Sequence, residues 1–171
     1  MDIWNLLAAS IAAEFSDIAD QEKALRICIR LLLAVVLGGL LGYEREYHGK
    51  SAGLRTHMLV SLGAALFALL PSLAGTSNDD ISRVLQGIIT GVGFLGAGTI
   101  LKGSGSLHRV HGLTTAAGIW TTAAIGAAAG LGYGSTAVLS TLLMLLVMSL
   151  MRILEQHAAH KRNKNDQPPE A

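Results

Sequence analysis

The sequence predicts an all-α membrane protein: a compact, glycine-rich bundle of five transmembrane helices preceded by an amphipathic helix lying in the interface. Three observations carry that expectation. Only 15% of the 171 residues are charged and 51% are hydrophobic, whereas soluble domains hold about 25% charged residues. The charges are confined to a few places, which leaves long runs with none. Within those runs many of the 20 glycines stand four residues apart. The length fits one domain. A net charge of +1 gives no footprint for nucleic acid. Cys28, alone in an apolar run, can form no intramolecular disulfide.

Residues 1–26 come first. Trp4, Leu6, Leu7, Ile11, Phe15 and Ile18 recur at helical spacings among Glu14, Asp17, Asp20 and Glu22. That pattern is read as an N-terminal amphipathic segment lying in the interface. Asp2 stands where a signal peptide would be basic, so cleavage is not expected. The first span, about 27–43, is broken only by Arg30, whose long stem is expected to carry its guanidinium to the headgroups. Thr56 to Asn78 is a run of 23 uncharged residues and holds the second span, about 56–76. Val84 to Leu101, 18 uncharged residues, is the third.

The next run, Val110 to Met151, has 42 residues. As one helix it would measure about 63 Å, twice the ~30 Å of a hydrocarbon core. It must therefore turn back, and Gly130-Leu131-Gly132-Tyr133-Gly134 offers the reversal. Spans four and five follow at about 111–130 and 134–152. The transmembrane domain is thus read as 27–155. Residues 156–171 are read as a polar tail, frayed from Lys161 to the final Gln-Pro-Pro-Glu-Ala.

Of the 13 Lys and Arg residues, nine fall in loops one and three and in the tail, and four on the other side. The positive-inside rule then puts the C-terminus in the cytoplasm and the N-terminus outside.

Gly38 and Gly42, Gly87 and Gly91, and Gly126 and Gly130 stand four apart, a spacing that lets helix backbones approach. Gly91, Gly93 and Gly96 also satisfy G-x-G-x-x-G, but that fingerprint needs a strand before it, and here it lies inside an apolar run. These glycines, with Gly98, are read as packing positions, and one glycine face would serve a homodimer.

Glu44, Arg45 and Glu46 close span one, with Arg55, Thr56, Lys102, Arg109, His111, Thr114 and Thr115 on the same inferred side. Two readings stand for this polar group: charges anchored at headgroup level, or a functional cluster. The pairs His108/His111 and His157/His160 lack the further ligands a metal site needs, so neither metal nor cofactor is expected. No nucleophile, base and orienting group come together, so catalysis is not expected. None of the 12 carboxylates lies mid-span, where an ion pathway would usually place one. A pore lined by Thr90, Thr99, Thr114 and Thr121 is the alternative to be tested.

Gly38-Gly39-Leu40-Leu41-Gly42-Tyr43-Glu44-Arg45-Glu46 and Ala52-Gly53-Leu54-Arg55-Thr56 together resemble the opening signature of the MgtC/SapB family. Gly91-Val92-Gly93-Phe94-Leu95-Gly96-Ala97-Gly98 and His111-Gly112-Leu113-Thr114-Thr115-Ala116-Ala117 resemble its later blocks. The likeness runs from about Arg30 to Gly132. It implies a five-span protein of the bacterial inner membrane, in a family linked to growth in low magnesium and to survival inside macrophages. The short chain after span five implies the SapB- or YhiD-like branch, without the ACT-like C-terminal domain. On that resemblance the matched polar residues lean towards function.

The expectation is a non-enzymatic regulator in magnesium or envelope-stress physiology. Its partners would be the lipid bilayer, another inner-membrane protein and a second copy of the chain. A small Mg²⁺ or solute transporter and a structural scaffold are the alternatives.

Overall fold

The computed structural model describes residues 2–14, 20–102 and 111–165. These residues form six α-helices and no strand: α1 Ile3–Glu14, α2 Gln21–Tyr47, α3 Leu54–Leu73, α4 Asn78–Lys102, α5 Leu113–Gly130 and α6 Gly134–Asn165. Four helices are long and apolar enough to cross a membrane: α2, α3, α4 over Asn78–Ile100, and α6 over Gly134–Leu154. The 18-residue α5 is not one of these four. It carries no charged residue but is built largely of Gly, Ala and Thr, which are only weakly apolar.

Three boundaries differ from the sequence reading. First, α2 begins at Gln21, so residues 21–26 form one continuous helix with the first span. Its start is fixed by Asp20, whose side chain accepts from the Glu22 amide at 3.0 Å. An exposed Glu22–Arg26 pair at i,i+4 supports the first turn. Second, α1 covers only Ile3–Glu14, a largely apolar helix with Asn5, Ser10 and Glu14 as its polar residues and no buried residue. Third, α6 continues to Asn165, so residues 156–165 extend a helix. Residues 166–171 lie outside the described residues.

Helix α3 is held between α2 and α5 by glycines. A Cβ on Gly38 would lie 2.6 Å from the His57 carbonyl oxygen, and one on Gly42 would lie 2.6 Å from Leu54 Cα. On the other side, a Cβ on Gly126 would collide with the Ser61 backbone and one on Gly130 with the Ala65 carbonyl. These are contacts of backbone against backbone, which only the absent side chain permits. Small residues then fill the space around them. Ala34, Leu37, Leu41, Ala65, Ile125, Ala129 and Ala137 form one buried cluster. Ala64, Ala68, Val92, Ile119, Ala123 and Ala127 lie in the other.

The glycines of α4 behave differently. Among the described residues, Gly87, Gly91, Gly93 and Gly98 meet nothing within 4 Å. The helix instead touches the bundle through buried Val92 and through Gly96, whose Cβ would sit 3.4 Å from that of Ala116.

Arg30 also departs from expectation. Its Nη1 donates to the Gly130 carbonyl at 3.2 Å, closing the C-terminal end of α5 instead of reaching outward. Gly132, at φ +90°, leaves room for that guanidinium in the α5–α6 turn.

Gly126→Leu is therefore expected to lower the melting temperature in detergent strongly, since forced overpacking costs about 1–3 kcal/mol or more. Gly91→Leu is expected to leave melting unchanged. A Gly126→Leu variant as stable as the parent would refute the close α3–α5 contact.

Candidate functional site

The segments around residues 44–56, 95–99 and 111–115 meet at one end of the bundle, at the C-termini of α2 and α4 and the N-termini of α3 and α5. Glycine sets the joints. Gly112 has φ +91°, a left-handed conformation that side chains rarely adopt, and a Cβ there would lie 2.6 Å from the Thr99 carbonyl. It starts α5 directly against the end of α4. Gly53 starts α3 and leaves space for the Glu46 carboxylate, whose Oε2 accepts from the Leu54 amide at 2.8 Å. Glu46 thus serves as the cap that Gly53 lacks.

Between these ends lies a chamber of about 800 Å³. Arg45, Lys50, Thr56, Thr99, Thr114 and Thr115 contribute to its wall, with exposed His111 beside them. Arg45 is its buried element, only 4% exposed. Its Nη2 donates to Thr115 Oγ1 at 3.4 Å and its Nη1 reaches Met148 Sδ at 3.9 Å. Its Nε has no partner, and among the described residues no carboxylate lies within ion-pair distance of it. A guanidinium removed from water with so few acceptors is under-satisfied.

Glu44 points to a different neighbourhood. It pairs with Arg152 from α6 and lies 3.3 Å from His48 Nδ1. The polar residues of the sequence reading therefore divide. Arg45, Thr56, His111, Thr114 and Thr115 share the chamber. Glu44 belongs to the α2–α6 pair, Glu46 to the α3 cap, and Arg55 is exposed and outside the wall. Lys102 ends α4, and Arg109 and His108 lie outside the described residues. Among the described residues, no three His, Cys, Asp or Glu gather as a metal ion would require.

The MgtC family profile matches residues 31–157. The chain belongs to the MgtC family. It is 44% identical over 149 residues to SrpB of Synechococcus elongatus, covering 81% of each protein. It is 41% identical to the candidate magnesium transporter YhiD of Escherichia coli K12, covering 80% of this chain and 64% of that one. It is 43% identical to MgtC of Brucella abortus, covering 72% of this chain and half of the relative. The chain thus spans less than two thirds of YhiD and of MgtC. No solved structure matches it. Family membership and four apolar helices make this a bacterial membrane protein.

The profile includes polar residues that the sequence reading passed over. His57 is fully buried on α3. Its Nδ1 donates to the Gly53 carbonyl at 3.0 Å, while its Nε2 has no partner and faces Gly118. Ser61 Oγ, one turn further along α3, is likewise buried and unpaired. Histidine was invisible to a count of Asp, Glu, Lys and Arg. An imidazole within an otherwise apolar span was the available signal. Arg152 and Lys50 were counted only as orienting charges.

Removing Arg152 would strand a largely buried Glu44. Arg152→Met is expected to destabilise the MgtC-family fold by about 1–3 kcal/mol. Glu44→Gln in the same background is expected to restore most of that loss. A double variant no more stable than Arg152→Met alone would dissolve the pair.

Proposed function

We propose that this chain is a non-enzymatic regulator tied to magnesium homeostasis in the bacterial inner membrane, acting through contacts with another membrane protein rather than by conducting Mg²⁺. The observation that carries the proposal is the character of the chamber. The motif segments gather around a buried arginine and a lysine, with no carboxylate in the wall among the described residues. Mg²⁺ keeps its waters and is held by carboxylate or phosphate oxygens, so a cationic wall opposes it. The threonines of the alternative pore support the same reading. Thr99 and Thr114 line the chamber, but Thr90, Thr99 and Thr121 return their hydroxyls to the Gln86, Gly96 and Ala117 carbonyls of their own helices.

The transporter reading draws on the printed description of YhiD and on the size of the chamber. Reconstitution separates the two. Liposomes containing the purified protein and an internal Mg²⁺ indicator are expected to show no more uptake than empty liposomes. Saturable uptake that Glu44→Ala abolishes would overturn the regulator.

The proposed topology has five spans, with α5 as the fourth, the N-terminus outside and the C-terminus in the cytoplasm. It is supported by the passage of α5 from the chamber at Gly112 to Arg30 at the opposite end, and by the distribution of Lys and Arg. A homodimer completes the proposal; of the open α4 glycines, exposed Gly93 lies outside the α3–α4 groove and the chamber and is the one available to it. A reporter fused after residue 171 is expected to read as cytoplasmic, and a periplasmic signal would overturn the orientation.

A further inference from the structure

We infer that the chamber is the headgroup site of an anionic phospholipid, whose acyl chain lies in the groove between α3 and α4. The electrostatics come first. The N-terminus of α5 opens at the chamber with Gly112 as its cap, no side-chain acceptor and no acidic residue in its first turn. The first amides of a helix have no partner within it, and they carry partial positive charge. That end therefore adds positive potential to a wall already holding Arg45 and Lys50.

The nearby acids are engaged elsewhere: Glu46 at the Leu54 amide, Glu44 with Arg152. Residues 96–113 contain no Asp or Glu at all. The independent sign of a missing partner is Arg45 itself, more than nine-tenths buried, in the chamber wall, with its Nε unpaired. A phosphate oxyanion offers what this arrangement lacks: acceptors for the guanidinium and for free helix amides.

The groove identifies which phosphate. A second cavity, about 760 Å³ and almost wholly apolar, runs along α3 and α4 past Val60, Gly63, Phe67, Gly87 and Gly91. Thr56 and Leu95 belong to both cavities, so the groove and the chamber are contiguous. A cationic headgroup pocket opening into a hydrocarbon-lined slot between membrane helices is the shape of an anionic lipid, and basic pockets between helices bind such headgroups. Gly63, Gly87 and Gly91 keep the slot open, because a Cβ on any of them would meet nothing within 4 Å. This site goes beyond the magnesium role proposed above and stands or falls independently of Mg²⁺ flux.

Native mass spectrometry of the full chain in mild detergent tests the site, with dioleoylphosphatidylglycerol, dioleoylphosphatidylcholine and inorganic phosphate as probes. One phosphatidylglycerol per chain is expected, retained at about tenfold lower concentration than phosphatidylcholine, the effect of one good charge contact. Arg45→Gln is expected to remove most of that preference and Lys50→Gln to weaken it. Because Arg45 is buried and its loss could unfold the protein, the exposed Lys50 supplies the decisive variant if Arg45→Gln does not melt cooperatively. The paired groove variant Gly63→Leu/Gly91→Leu fills the slot without a clash and is expected to reduce lipid retention. Equal retention of the two lipids would overturn the inference, as would a folded Lys50→Gln variant that keeps the full preference. Binding of inorganic phosphate alone, indifferent to the groove variant, would assign the chamber to a free anion and overturn the lipid.

Discussion

The close passage of α3 between two glycine-bearing helices is the constraint from which the rest of the structure follows. In lipid the tails are as apolar as the side chains, so helices gain little from burying leucine and must gain from close packing. Gly38 and Gly42 on one side and Gly126 and Gly130 on the other bring three backbones together. That contact closes the interior around His57 and Ser61 and leaves their Nε2 and Oγ without partners. It also fixes where α2 ends relative to the start of α3, which is what allows Glu46 to reach the Leu54 amide. Arg45 is then enclosed where the helices converge, with Thr115 and Met148 as its contacts.

The central helix α5 shows an electrostatic asymmetry. Its carbonyl end, with partial negative charge, receives the Arg30 guanidinium at Gly130. Its amide end, with partial positive charge, faces more cations and no carboxylate. One end is compensated from within the chain and the other is not. An isolated mismatch of this kind would be an oddity of packing. Set beside an unpaired buried arginine in the same wall, it becomes a consistent positive potential confined to one chamber.

The helices were legible because the uncharged runs are long and the glycine cluster at 130–134 permits only a reversal. The limits of legibility were equally physical. A four-residue glycine spacing marks a face on which a backbone can approach, not whether one does. The pairs in α2 and α5 meet α3, while Gly87 and Gly91 look onto an open groove. The polar cluster was read as one group, and the sequence offered no way to divide it. Adjacent positions on a helix point in different directions, so Glu44 turns to α6, Arg45 to the chamber and Glu46 to the α3 terminus. The start of α2 was missed because hydropathy fades before the helix does, although Asp20 and the Glu22–Arg26 pair carried the signal. His57 was missed because only permanent charges were counted.

A cationic chamber and a role in magnesium physiology look opposed at first, since a positive wall repels Mg²⁺. They meet in the phosphate. Free Mg²⁺ is coordinated by phosphate oxygens, the same oxygens that a guanidinium and helix amides would bind. A lipid phosphate screened by Mg²⁺ presents little net charge to Arg45 and Lys50, whereas one stripped of Mg²⁺ presents its full charge. On the lipid inference, a chamber of this sign would favour the headgroup most when magnesium is scarce, without holding the ion itself. For the inferred lipid site, a wall without carboxylates would favour the phosphate, because an acidic wall would attract the ion and repel the phosphate.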